Sequence, residues 1–242
     1  MIGDDERPVL ARFVHRMVLS RFTQLGWERA QGEPERTGQL RAQLVVTLGT
    51  LGSDDSVVAR CRKLHEDYLE DRTAVDADLI DAVVAVVAEN GDEADYDRFL
   101  ARYREPATPQ DEMRYLYALG RLPDPALIQR TLDLCLSEVR TQNAPYLVGQ
   151  MLAGRHSGWP AWRFVVEHWD ALCGRFPSNA IPRMVEGLAG QADAALAAEA
   201  HQFFADHPVP SGELQVRQTL ERLDVNVAFA GREAGRLADA LE

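Results

Sequence analysis

Residues 57–69 read Val57-Val58-Ala59-Arg60-Cys61-Arg62-Lys63-Leu64-His65-Glu66-Asp67-Tyr68-Leu69, and their pattern decides the fold. Val57, Val58, Cys61, Leu64, His65, Tyr68 and Leu69 recur at spacings of three and four, which gathers them on one face of an α-helix. Glu66, Asp67, Glu70 and Asp71 fall on the opposite face. The same template fits Tyr96, Phe99, Leu100 and Tyr103, then Leu127, Ile128, Leu132, Cys135 and Val139, then Trp162, Val165, Val166, Trp169, Leu172, Cys173 and Phe176. No stretch alternates with a period of two, so the chain is predicted to be all-α.

Capping signals divide the helices. Thr108-Pro109 and Asp124-Pro125 each place a capping side chain before a proline at the first helical position, where the missing N–H has no intrahelical partner to lose. Ser53-Asp54 follows Gly49 and Gly52, and Asn90-Gly91-Asp92 follows Ala88, so each reads as a helix stop with a new N-cap close behind it. Loops of a few residues make successive helices antiparallel. Paired in this way, the helices form units beginning near Thr37, Asp76, Thr108, Gln142 and Ser178, at uneven intervals of roughly 32 to 39 residues and without tetratricopeptide or ankyrin consensus residues. The expected architecture is an irregular HEAT- or armadillo-like α-solenoid of antiparallel helical hairpins, curved, with a concave binding face. Gly32-Glu33-Pro34-Glu35 reads as a long interhelical loop in preference to a short linker, since no shift in composition marks a second domain. Residues 1–242 are therefore expected to form a single domain.

Composition narrows the partners. With 46% hydrophobic residues the chain can bury a contiguous core, and its net charge of −12 opposes a sequence-independent grip on nucleic acid or on anionic membranes. Its longest apolar run, Ala82 to Ala88, is far short of the roughly 20 residues that span a bilayer. Cys61, Cys135 and Cys173 are odd in number, lie far apart and sit in apolar helical patterns, so they read as buried thiols of a reducing compartment. The opening residues Met1 to Leu10 carry Asp4, Asp5 and Glu6 where a secretory signal needs basic residues and then an apolar stretch, so a cytoplasmic location is expected. Among 26 Lys and Arg residues only Lys63 is a lysine, as a GC-rich bacterial genome would encode.

Residues with catalytic potential do not converge. His65-Glu66 begins like a zinc-hydrolase helix, but Leu69 stands where the second histidine one turn on belongs. Cys61 and His65 share a face with core residues, so His65 reads as a packed histidine. Glu66, Asp67, Glu70 and Asp71 lack a second acidic cluster on a facing helix, and with Arg62 and Arg72 close by in sequence they read as a solvated, neutralised face. His156-Ser157-Gly158 lacks the strand-to-helix elbow of a serine nucleophile and reads as a loop. Trp162 and Trp169 share a stripe with aliphatic residues and read as core.

Taken in order, several segments resemble the C-terminal helical domain of the aminopeptidase N family of zinc metallopeptidases, endoplasmic reticulum aminopeptidases included. Val139-Arg140-Thr141-Gln142-Asn143 is similar to that family's Arg-x-Gln-Asp segment. Gly158-Trp159-Pro160-Ala161-Trp162-Arg163-Phe164-Val165, leading to His168-Trp169, is similar to its Gly-x-x-x-Trp-x-Phe followed by Asn-Trp. Gln218-Thr219-Leu220-Glu221-Arg222-Leu223 and Asn226-Val227-Ala228-Phe229 resemble its closing Ala-Leu-Glu and Asn-Ile-x-Trp pattern. Upstream, Leu25-Gly26-Trp27-Glu28 followed by Leu40-Arg41 also matches, so the resemblance runs from about residue 10 to 232. Asn143 stands where the family usually has Asp, and Phe229 where it often has Trp.

The resemblance implies a helical bowl that closes over a catalytic domain and helps to hold peptide, with the family's zinc helix, Gly-x-Met-Glu-Asn loop and catalytic tyrosine all absent from this sequence. No cofactor is expected in this chain; zinc is expected in the catalytic domain of the parent enzyme. That catalytic domain and a peptide substrate are the expected partners. Arg140 and Gln142 are the candidate substrate-binding residues, because a guanidinium fork suits a peptide carboxylate. The competing assignment has them bracing neighbouring helices. An autonomous HEAT-like scaffold for protein partners is the alternative function.

Overall fold

The computed structural model describes residues 6–241, so the acidic opening from Met1 to Asp5 lies outside the described residues. Among the described residues there are thirteen α-helices and two short 3-10 turns, and no strand. The chain is all-α.

One compact unit runs through Ala118 and a second spans Leu119–Gly235. In the first lie α1 (Arg7–Leu25), α2 (Glu35–Gly49), α3 (Asp55–Glu70), α4 (Ile80–Glu89), α5 (Glu93–Arg104) and α6 (Pro109–Leu119, its last residue at the boundary). The apolar run too short for a bilayer is α4, and it is the centre of this unit. Ile80, Ala82, Val83, Val84, Val86, Val87 and Ala88 are all buried, and α4 packs against α2, α3 and α5. A helix that is apolar all round has to be enclosed by others. At Gly49 a Cβ would stand 2.6 Å from Val86 Cγ1, so the end of α2 approaches α4 more closely than any side chain permits.

The second unit holds α7 (Pro125–Ser137), α8 (Ala144–Ala153), α9 (Gly158–Glu167), α10 (Trp169–Arg175), α11 (Ile181–Val185), α12 (Ala194–Asp206) and most of α13 (Glu213–Leu241). Here α8 is enclosed by α7, α9, α11 and the 3-10 turn Glu186–Gly190. Leu147, Val148, Met151 and Leu152 are at most 1% exposed.

The caps read from sequence are in place. Asp54 accepts from the N–H groups of Ser56 and Val57, and Asp124 from those of Ala126 and Leu127. Asp92 and Asp95 form a reciprocal capping box, and Thr108 Oγ1 accepts from the Asp111 N–H at 3.2 Å. Each cap satisfies donors that the first helical turn leaves open. Gly32-Glu33-Pro34 is a turn and loop leading into α2.

Three expectations need correction. The Trp162–Phe176 stripe is two helices, broken at His168, and its buried face is turned toward Ala161 and Phe164. Val166 is consequently 40% exposed and Cys173 is an exposed thiol, whereas Cys61 and Cys135 are buried. The connection over residues 71–79 is longer than the few residues anticipated, whereas a long loop was expected where residues 26–34 join α1 to α2. Arg62 and Arg72 do not serve the acidic face of α3. Arg62 pairs with Asp95 at 2.8 Å and Arg72 with Asp111, while Lys63 reaches Asp67 at 2.9 Å.

Candidate functional site

Arg140 and Gln142 lie in the turn that joins α7 to α8, and both are exposed. Helix α7 ends where the N–H groups of Glu138 and Val139 both close on the Leu134 carbonyl at 2.9 Å. Val139 is fully buried and pins the chain, so the next residue, Arg140, emerges at the surface. The Arg140 carbonyl then accepts from the N–H groups of Asn143 at 2.8 Å and Ala144 at 2.9 Å, which starts α8. Pro145 follows in the first turn, where its missing N–H is no loss. The turn is further held by Arg175 in the last turn of α10. Its Nε donates to the Cys135 carbonyl at 3.2 Å, and its Nη2 donates to Ser137 at 3.3 Å and Val139 at 2.9 Å. Sequence reasoning did not single out Arg175. Its only local signal is a cation at a helix C-terminus, and its partners lie on another helix.

Other residues that carried the resemblance meet across helices. Arg41, 3% exposed, donates from Nε to the Gly26 carbonyl at 2.9 Å and grips Glu33 through both terminal nitrogens, at 2.9 and 2.6 Å. This fork ties α2 to the end of α1, and its hydrogen bonds hold the Glu33 carboxyl below the usual range. Trp27 packs edge-on against Phe22 at 5.1 Å. Asn226 Nδ2 donates to the Ala189 carbonyl at 2.7 Å and fastens α13 to the 3-10 turn. Gly158 leaves room for Gln191, whose Nε2 donates to the Leu152 carbonyl at 2.6 Å and the Gly154 carbonyl at 3.0 Å. Phe229 is 44% exposed.

The residues weighed for catalysis are engaged in packing and hydrogen bonds. His65 is 1% exposed, with Nε2 3.1 Å from the Tyr115 hydroxyl and its ring 5.6 Å from that of Phe99. Burial, reinforced by the positive charge of Arg98, pushes its pKa down to about 4, and burial raises the Cys61 thiol to about 12. Both are neutral core groups at neutral pH. Asp111 is the hub of the first unit. The Tyr68 hydroxyl donates to it at 2.8 Å, and Arg72 and Arg114 close on it from either side. Although burial works to raise it, the Asp111 pKa is lowered by these donors. Among the described residues no three His, Cys, Asp or Glu side chains gather, so they do not fit a zinc ion. Ser157 sits in the turn before α9, with its hydroxyl donating to the Met151 carbonyl at 2.7 Å.

Two open clefts flank α13. One, of about 700 Å³, is lined by Glu186, Gln215, Gln218 and Arg222 among others; the second, of about 320 Å³, has a floor of Phe204, Val209, Val216 and Leu220. Neither includes Arg140 or Gln142. Among the described residues no helix is long and apolar enough to cross a membrane.

Comparison with known proteins identifies this helical array. The ERAP1-like C-terminal domain profile matches residues 1–225. Aminopeptidase M1 of Arabidopsis thaliana is 31% identical over 211 residues, which covers 84% of this chain and 24% of that protein. Aminopeptidase M1-B of Oryza sativa subsp. japonica is 31% identical over 241 residues, covering 94% and 27%. The alanine/arginine aminopeptidase of Saccharomyces cerevisiae is 26% identical over 174 residues, covering 71% and 20%. The chain spans about a quarter of the length of the first two relatives, and the matched part is their C-terminal portion. With Gly26, Arg41 and Asn226 already seen to join neighbouring elements, these matches lead to one conclusion: the chain belongs to the family of ERAP1-like C-terminal domains.

Proposed function

We propose that this chain is the substrate-enclosing and regulatory helical domain of a zinc aminopeptidase that removes N-terminal residues from peptides. The observation that carries this reading is the match of nearly the whole chain to the C-terminal portion alone of aminopeptidases, in a sequence without the zinc-binding helix. The helical hairpins within each unit stack in an irregular HEAT- or armadillo-like manner, and the zinc and its chemistry belong to the catalytic domain. Arg140 and Gln142 contact the peptide from the α7–α8 turn. Their exposure supports this, as does a backbone fixed on both sides of Arg140, because an ordered backbone leaves only side-chain freedom to be lost on binding a carboxylate. The enzyme works in the cytoplasm of a bacterium. Cys61 and Cys135, buried and unpaired, support a reducing compartment, and the near absence of lysine supports the bacterial origin.

The test uses an aminopeptidase carrying this chain as its C-terminal portion. Arg140→Ala should raise KM for peptides by about 10- to 150-fold, the equivalent of one charge-assisted hydrogen bond of about 1.5 to 3 kcal/mol, and should leave KM for a single-residue reporter far less affected. Only a peptide extends far enough to reach the helical wall. Equal KM ratios for both substrates, together with a lowered melting point, would assign Arg140 to bracing α8 and remove it as a substrate contact.

A further inference from the structure

The grip of Arg175 on the end of α7 does more than cap a helix. The last carbonyls of a helix have no intrahelical donors, and that end carries partial negative charge, so any cation nearby is stabilising. Arg175 instead spreads one guanidinium over the carbonyls of Cys135, Ser137 and Val139, the last being the residue directly before Arg140. On the other side of Arg140, its own carbonyl is closed by the N–H groups of Asn143 and Ala144. The backbone of Arg140 is therefore held on both flanks, and on the α7 side a side chain from α10 adds to the anchoring by buried Val139. A planar fork with five donors can bridge three acceptors at once, whereas an ammonium acts as a point charge.

We propose that Arg175 is a positioning residue, which fixes the backbone of the α7–α8 turn and so the point from which the Arg140 side chain reaches the peptide. This rests on the reading of Arg140 as a peptide contact. Preorganised contacts lose effectiveness steeply when their support loosens, so the grip acts on peptide recognition as well as on folding.

Two measurements test it. On this chain, amide hydrogen exchange of Arg175→Met should show Asn143 and Ala144 exchanging about tenfold faster or more, with the amides of α4 unchanged and Arg175→Lys in between. Unchanged protection in the turn, or an equal loss of protection in α4, overturns the proposal. In an aminopeptidase carrying this chain, Arg175→Met should raise the ratio of peptide KM to reporter KM by about three- to tenfold, with partial recovery in Arg175→Lys. Added to Arg140→Ala it should raise that ratio no further, because both changes act through one contact. If Arg140→Ala shifts the ratio and Arg175→Met leaves it alone, the positioning role falls and the peptide contact stands. If Arg140→Ala itself leaves the ratio unchanged, the contact and the role assigned to Arg175 fall together. A purely structural Arg175 would lower the melting point without changing the ratio.

Discussion

Trp162 offers the sharpest test of how the second unit is packed. Its indole is 1% exposed and is wedged between α9 and α12, edge-on to Phe203 at 5.5 Å and tilted against Phe204 at 6.0 Å. Its Nε1 donates to Glu199 Oε2 at 3.2 Å. Trp162→Ala removes the ring and leaves a cavity that the two helices close only in part, which costs about 3 to 5 kcal/mol in well-packed cores. The lost hydrogen bond adds little, since Glu199 is exposed and regains water. Trp169 lies against the same two phenylalanines, at 5.3 and 5.8 Å, and can relax into the gap, which favours the lower end of the range. At roughly 2 to 4 °C per kcal/mol for a chain of this size, the melting point should fall by about 6 to 20 °C. Trp162→Phe retains most of the ring contacts and should cost about 1 to 2 kcal/mol. Urea titration followed by far-UV circular dichroism measures both, with the midpoint lowered and the slope retained. A melting point within about 2 °C of the parent protein for Trp162→Ala would refute the packing argument.

The remaining predictions concern pH and metal. His65 has a folded pKa of about 4 against about 6.5 in the unfolded chain, so the unfolded state alone takes up this proton as pH falls through that window. The stability supplied by neutral His65 is complete above pH 6.5 and is lost toward pH 4, about 3 kcal/mol in all and about 2 kcal/mol by pH 5. His65→Phe should be less stable at pH 7, where the Tyr115 hydroxyl loses its partner, yet lose less on going to pH 5; equal losses in both proteins would contradict this. Metal analysis after dialysis should find no stoichiometric zinc, and the purified chain should not turn over an aminoacyl reporter. One retained equivalent of zinc, or measurable turnover, would show that the catalytic residues had been misread.

Much of the local structure was legible in the sequence because its causes are local. A period of 3.6 residues placed Tyr96, Phe99, Leu100 and Tyr103 on a buried face, and Asp54, Asp92 and Asp124 announced helix starts through hydrogen bonds that reach only two or three residues along the chain. The same information ended one apolar stripe at Val139 and began the next unit near Gln142. Tertiary structure alone decided which partner each charged residue took. Arg62 and Arg72 lie beside the acidic face of α3 in sequence, yet they turn to Asp95 and Asp111 on α5 and α6, whose carboxylates are almost wholly buried and gain more from a guanidinium than solvated ones do. Helical periodicity also could not locate the edge of the buried arc on α9 and α10, where Val166 and Cys173 are exposed. Arg41 reaching the Gly26 carbonyl and Arg175 reaching α7 were illegible for the same reason. Periodicity and capping follow from the geometry of one helix, whereas these contacts depend on how separate helices are brought together.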